Sequence, residues 1–387
     1  MANYKLVDAE KLDADLGELA LAIRMKTGTE LKLSFPTEMI EAITGITSGN
    51  SNPYVEYKTD DSGTVIEAVL YNFEEIPARM FYGNTALQSI DTSHSPNLAS
   101  VGSSAFFNCS KLALTSLPES ITSIGSSAFY GCSKLALTSL PESITSIGSD
   151  AFYNCSNLAL TSLPKGITSI ESKTFYNCGS LALTSLPDGV TSIGSNAFMA
   201  CDNLALTALP ESITSIGSYA FSDCTNLALT ALPESITSIE AYTFRNCSNL
   251  ALTALPDGVT SIGSYAFSNC DNLALTALPD GMTSIGSWAF NGCIGIKNIE
   301  INGNLISDRT FYNCTGLEKV WLRNSCTSIS AMNSNTSYAH FAGCSDSLEI
   351  YAEPTEQPSG WGKYFNRTGT SGKTTVTVVY GQTTCPW

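Results

Sequence analysis

Thirteen cysteines and two histidines are the side chains of this 387-residue chain best suited to chemistry. Nine cysteines recur every 23 residues: Cys109, Cys132, Cys155, Cys178, Cys201, Cys224, Cys247, Cys270 and Cys293. A zinc site needs cysteine pairs two to four residues apart, and no such pair occurs. A disulfide needs sulfurs about 2.05 Å apart on converging Cβ vectors. Equivalent residues of stacked repeats instead point the same way, about 4.8 Å apart. The spacing predicts a reduced, buried ladder of small apolar side chains. A serine in that ladder is expected to leave an unpaired hydroxyl, costing about 1–3 kcal/mol.

His94 and His340 sit in irregular segments, outside any nucleophile, metal or phosphate motif. Acidic residues follow proline in several repeats, as at Glu142, Asp188, Glu211 and Asp257, but their spacing matches no calcium loop. The recurring Asn-Cys-Ser triplet, as at Asn154, follows from the repeat and carries no glycosylation argument. The chain therefore reads as non-enzymatic, with no catalytic, metal or cofactor-binding residues. Its net charge of −16 is spread thinly and forms no basic patch, which excludes nucleic acid as a partner. No run approaches the roughly 18 apolar residues of a membrane span, so no membrane insertion is expected. The opening MANYKLVDAEKLDADLGEL lacks the apolar core of a secretory leader, so folding in a cytoplasm is expected.

The elements that hold these residues are repeats. Residues 121–143 read ITSIGSSAFYGCSKLALTSLPES, and the next 23 read ITSIGSDAFYNCSNLALTSLPKG. Phe106, Phe129, Phe152, Phe175, Phe198, Phe221, Phe244, Phe267 and Phe290 mark the register. Degenerate copies at Phe81, Phe311 and Phe341 bring the total to about twelve. Leu135, Leu137 and Leu140 fit a short strand with inward apolar side chains. Pro141 ends its pairing and begins a turn. Ile144 and Ile147 start a second inward segment, closed at Gly148, where a bend is cheap. Ala151, Phe152 and Cys155 have helical spacing and suggest one helical or 3₁₀ turn. One repeat cannot bury this apolar set alone, whereas stacked repeats can.

The run IxxIGxxAFxxCxxLxLxxLP resembles the BspA-like, treponemal-type leucine-rich repeat over about residues 76–350. The resemblance implies a β-rich, right-handed, arched solenoid used for adhesion or binding rather than catalysis. Surface members of that family are secreted, whereas this chain shows no export signal.

The ends differ from the array. Ala9, Leu12, Leu16, Leu19 and Ile23 form an apolar helical seam, and Pro36 opens a second short helix with Met39, Ile40 and Ile43. Residues 1–44 are thus expected to be a helical attachment or oligomerisation module. Their pattern, from Leu12 through ADLGELALAIRMKTGTELKLSFPTEMIEAI, resembles an N-terminal module of phage tail-associated proteins. Residues 45–53 read as a linker and 54–75 as an N-terminal β cap with a hairpin turn at Asp61-Ser62-Gly63. Residues 351–387 are a C-terminal cap, with Trp361, Tyr364 and Phe365 as its aromatic segment and a strand over 374–380. Both ends need capping, since an open solenoid edge recruits other chains.

Two positions vary while their surroundings are frozen. Tyr130, Tyr153 and Tyr176 stand one residue after the repeat Phe; Tyr219, Tyr242, Tyr265 and Trp288 stand two before it. The handover falls at Asn196 and Met199. On a helical turn these positions are i and i+3 and share a face. The seven aromatics are expected to form one track along the turn side, either shielding the fold or serving as a binding stripe. The leading expectation is a phage tail or tail-tip protein that is assembled in the host cytoplasm. In that reading residues 1–44 hold other virion proteins or a second copy, and the solenoid meets a host-surface protein or glycan. The alternative is a bacterial cell-surface leucine-rich-repeat adhesin.

Overall fold

The structure, a computed structural model, describes residues 53–304, 307–329, 340–361, 366–368 and 374–385. The expected helical module at 1–44, residues 45–52 of the linker, Tyr364 and Phe365 lie outside the described residues. The rest is a β-solenoid with a 23-residue period and no helix among the described residues. Twelve phenylalanines, one per coil from Phe81 to Phe341, are buried. They stack ring on ring at 5.0–5.8 Å between centroids. The repeat leucines and isoleucines pack around this spine as one continuous core.

At the N-terminal end β1 (Tyr54–Thr59) and β2 (Val65–Tyr71) form the expected hairpin. Asp60 closes its turn by accepting from the N–H groups of Ser62 and Thr64. β2 then pairs in parallel with β4 (Ser89–His94). β3 (Glu75–Ile76), β5 (Ser100–Val101), β6 (Ser123–Ile124) and β7 (Ser146–Ile147) make one parallel sheet. β8 (Ser169–Ile170), β9 (Ser192–Ile193) and β10 (Ser215–Ile216) make a second. β11 (Ser238–Ile239), β12 (Ser261–Ile262) and β13 (Ser284–Ile285) make a third. Each strand is a Ser-Ile pair or its equivalent, with the apolar residue inward and the partner turned toward solvent.

The leucine segment departs from the sequence reading. Between residues 112 and 276 it forms no strand and makes one backbone bond per coil, as from Ala159 N–H to the Leu137 carbonyl at 3.0 Å. Proline is the reason. Residues 118, 141, 164, 187, 210, 233, 256 and 279 are prolines without an N–H for the ladder. The corresponding residues of the last coils are Asn302, Arg323 and Glu353. Four-residue strands precede them: β14 (Asn298–Ile301), β15 (Lys319–Leu322) and β16 (Glu349–Ala352). Arg323 and Glu353 donate the N–H that proline lacks, to Ile301 and Leu322. The Arg323 side chain also clamps Glu300 and Glu353 at 2.6 and 2.8 Å.

The corner glycine also has a different role from the one expected. Gly148 is not left-handed; a Cβ there would lie 2.5 Å from the Ser126 backbone nitrogen of the preceding coil. The same holds at Gly102, Gly125, Gly194, Gly217, Gly263 and Gly286, where the nearest backbone atom would be 2.3–2.7 Å away. Glycine is needed because two backbones touch, not because the chain bends.

At the C-terminal end the single strand expected over 374–380 divides in two. β18 (Thr374–Thr375) pairs antiparallel with β17 (Arg367–Thr368), and β19 (Val378–Val379) extends the β14–β15–β16 sheet. Trp361 is buried and donates its ring N–H to the Cys326 carbonyl at 2.7 Å.

Truncating one interior ring tests the spine. Phe198 is fully buried between Phe175 and Phe221. Phe198→Ala is expected to destabilise the solenoid by about 3–5 kcal/mol. Equilibrium denaturation measures this, and a loss below about 1 kcal/mol would contradict a packed spine.

Candidate functional site

The segment from corner glycine to cysteine builds the turn face, and it is not the helical turn its spacing suggested. Its N–H groups alternate in direction. In the coil of Phe129, Ala128, Tyr130 and Cys132 donate locally to Gly125, Ser127 and Phe129. Ser127, Phe129 and Gly131 donate to Ser149, Ala151 and Tyr153 of the next coil. A helix would turn every N–H inward along its own axis and leave the neighbouring coil unbonded. Two residues per coil adopt left-handed backbone to allow the alternation. One is two before Phe, as at Ser104, Asp150 and Asn196 (φ 57, 57 and 58°). The other is two after Phe, as at Asn108, Gly131 and Asn154. The Asn- and Gly-rich column at the second position was a readable sign of this conformation.

On this face the seven predicted aromatics fall into two stacks. Tyr130, Tyr153 and Tyr176 lie parallel with centroids 4.4 Å apart, continued backward by Phe107 and Tyr82. Tyr219, Tyr242, Tyr265 and Trp288 stack at 4.4, 4.9 and 5.6 Å. Tyr312 meets Trp288 at 5.0 Å, and the Arg309 guanidinium lies 4.7 Å from the Trp288 ring and 5.8 Å from that of Tyr312. All seven are half-buried.

The two varied positions share a face, through successive tight turns rather than helix. Arg79 and Tyr82 occupy both positions of one coil and touch at 5.7 Å. Beside Tyr219 and Tyr265 the later residue is small and covered, Ser222 and Ser268 being 0% and 2% exposed, whereas Arg245 beside Tyr242 and Asn291 beside Trp288 are half-buried. A row of side-chain bonds runs alongside, from Asn177 to Asn154, Asn246 to Asp223 and Asn269 to Asn246, at 2.9, 2.5 and 2.8 Å.

Tyr219, Tyr242, Tyr265 and Trp288 stand at the left-handed position, with φ of 60, 61, 57 and 62°. A bulky side chain there costs about 1–2 kcal/mol. Other described coils place Ser, Asp, Asn, Lys or Arg at the same site. Burial raises the hydroxyl pKa of Tyr153, Tyr176 and Tyr219, and the neighbouring tyrosine in each stack adds to the rise.

The cysteines form the expected buried ladder, with one correction. Each thiol donates to the Phe carbonyl of the preceding coil, as Cys132 to Phe106 and Cys201 to Phe175, at 3.1 and 3.0 Å. That carbonyl also accepts locally, Phe106 from the Cys109 N–H and Phe175 from the Cys178 N–H. A serine would therefore find an acceptor in place, so the unpaired hydroxyl expected from sequence does not arise. Burial pushes the Cys109 and Cys293 thiols up to about 12 and those from Cys132 to Cys270 well above the ordinary value. No group of three or more metal-ligating side chains occurs among the described residues. His94 is exposed beside Ser93, and His340 is buried against Thr310.

The thiols make stability fall with alkali. Unfolded thiols ionise from about pH 9, while the folded ones hold their protons. Their contribution is present in full below pH 9 and is lost as pH rises from 9 toward 12. Every ladder thiol adds to the loss in the same direction. Cys385 is exposed and is expected to react with Ellman's reagent in the folded chain. For the buried thiols, reactivity and loss of β-type circular dichroism are expected together, in one cooperative step above pH 9. More than one thiol reacting at pH 8 in the folded chain would contradict the ladder. Cys201→Ser is expected to shift stability by no more than about 1 kcal/mol, read from the denaturation midpoint.

Residues 74–205, 168–252 and 252–352 match the family described as BspA type Leucine rich repeat region, in six copies. A leucine-rich repeat protein from Bacteroides ovatus is similar at 23% identity over 74% of this chain and 84% of its own, with TM-score 0.43. A leucine rich cell surface protein from Faecalibacterium prausnitzii is similar at 22% identity over 87% and 97%, with TM-score 0.44. The pneumococcal vaccine antigen PcpA is similar at 18% identity over 84% and 82%, with TM-score 0.48. Comparison with curated proteins finds no match.

Proposed function

Because the chain belongs to the BspA-type leucine-rich-repeat family, we propose that it is a non-enzymatic adhesion scaffold displayed at a bacterial cell surface, with the aromatic track as its binding stripe. The family match spans residues 74–352 and favours the bacterial adhesin over the virion protein. The phage-tail placement rested on residues 1–44, which lie outside both the match and the described residues. Those 44 residues serve, in this proposal, to attach the scaffold or to pair it with a second copy.

The observation that carries the stripe is the backbone under it. Four large rings occupy left-handed positions that other described coils fill with Ser, Asp, Asn, Lys or Arg, so only here does a run of aromatic rings bear that backbone strain. Stacking offsets this by about 0.5–1.5 kcal/mol per ring pair, so shielding alone gains little. Strained residues of this kind concentrate at ligand sites. Within the stack the ring faces are covered by one another, which leaves ring edges and hydroxyls to a partner. Such a surface suits a hydroxyl-rich glycan more than an apolar peptide.

The test replaces Tyr242 and Tyr265 by Asn, the residue another coil uses at this position. Lost stacking and relieved backbone strain nearly cancel. The double variant is expected to keep its melting temperature within a few degrees. Binding of the intact chain on a glycan array is expected to fall about ten-fold or more, the loss of about 1.4 kcal/mol. Unchanged binding with a lowered melting temperature would assign the track to shielding and overturn the proposal.

A further inference from the structure

The parallel ladder of Ser-Ile strands is interrupted twice, between β7 and β8 and between β10 and β11. Both interruptions coincide with the same pair of changes in the repeat. Glu171 and Glu240 stand where the other coils of the array have the corner glycine, and Thr174 and Thr243 stand where they have alanine. The two sites are 69 residues apart, three repeats of 23.

The corner geometry explains the coincidence. At the equivalent glycines a Cβ would lie 2.3–2.7 Å from backbone of the preceding coil, far inside contact distance. A glutamate there must move the strand away. In glycine coils the corner N–H donates to the coil before, Gly148 to Ile124 and Gly194 to Ile170, at 2.8 and 2.7 Å. Among the described residues the corresponding bonds from Glu171 to Ile147 and from Glu240 to Ile216 are not formed. The threonine rung breaks at the same places. Thr145, Thr191, Thr214, Thr260 and Thr283 each donate their N–H to the preceding threonine carbonyl, whereas Thr168 and Thr237 do not.

The paired threonine repairs part of the corner. The buried hydroxyl of Thr174 donates to the Glu171 carbonyl at 2.9 Å and lies 3.4 Å from the Gly148 carbonyl of the preceding coil. Thr243 repeats both contacts with Glu240 and Gly217 at 2.8 and 3.5 Å. Each carboxylate accepts from the serine two residues before it, Ser169 and Ser238. The turn face stays closed across both breaks. Asp150, Phe152 and Asn154 still donate to Ser172, Thr174 and Tyr176, and Tyr219, Phe221 and Asp223 to Ala241, Thr243 and Arg245.

We propose that these are two built-in seams, at which the strand face opens while the turn face acts as the spine of a hinge. They divide the array into three blocks, with residues 167–235 as the middle one. The aromatic track lies on the spine side and keeps its spacing while the strand face flexes. This inference stands whether or not the track binds a glycan.

Hydrogen exchange on the full chain tests it. Amides at Thr168, Glu171, Thr237 and Glu240 are expected to be protected about ten-fold less than those at Thr191, Gly194, Thr214 and Gly217. Restoring the common repeat with E171G/T174A and E240G/T243A is expected to raise seam protection to the level of the other coils. The reverse change, G194E/A197T, is expected to open a new seam between β8 and β9. Equal protection at seam and interior amides of the native chain would overturn the proposal. So would restored glycines that leave the seams unprotected in a chain with native circular dichroism. Should the reverse variant fail to fold, the native comparison and the glycine variants decide the question by themselves.

Discussion

Backbone-to-backbone contact between adjacent coils is the constraint on which the rest of this molecule depends. Strands two residues long cannot hold a sheet by themselves, and no coil can bury its own leucines. The coils are therefore joined at three places. A Ser-Ile rung lies on the strand face, a single bond lies along the leucine segment, and alternating N–H groups bridge the turn face. Each requires the coils to approach as closely as strands of a sheet. The corner glycine permits that approach, and the proline of the leucine segment limits where a longer strand can grow.

That spacing determines the side-chain chemistry. Identical residues are brought into register, so the repeat Phe becomes a stack and the repeat Cys becomes a ladder. In the ladder each thiol has a carbonyl of the preceding coil as its acceptor. The sulfurs are aligned for packing and hydrogen bonding, and their protons are held by burial. Nine near-identical thiols thus act as structural donors rather than as nucleophiles or ligands.

The same register gives the turn face its aromatic track and the strand face its seams. On the turn face rings supplied from two positions around the repeat Phe come into register as two stacks. On the strand face two glutamates interrupt a ladder that glycine sustains everywhere around them. A surface that stays continuous on one side and is divided on the other can follow a curved or uneven target without losing its stripe. The physical origin of both features is a change of one or two residues per coil from the common repeat.

The period, the coil count, the buried Phe, Leu and Cys columns and the family were legible in the sequence, because registry between identical copies leaves few alternatives. So was the N-terminal hairpin, from its alternating residues around Asp61-Ser62-Gly63. The identity of the seven aromatics was legible too, since they vary against a frozen background. Three things were not. Helical spacing at Ala151, Phe152 and Cys155 could not reveal that alternate N–H groups serve the next coil, because bonds between coils have no local periodicity. Leu135 to Leu140 has the pattern of a strand, yet the proline after it decides the pairing through a partner 23 residues away. In the sequence Glu171 is only a departure from a column that is otherwise mostly glycine. Only the position of the preceding backbone, where a Cβ has no room, shows that it divides the ladder.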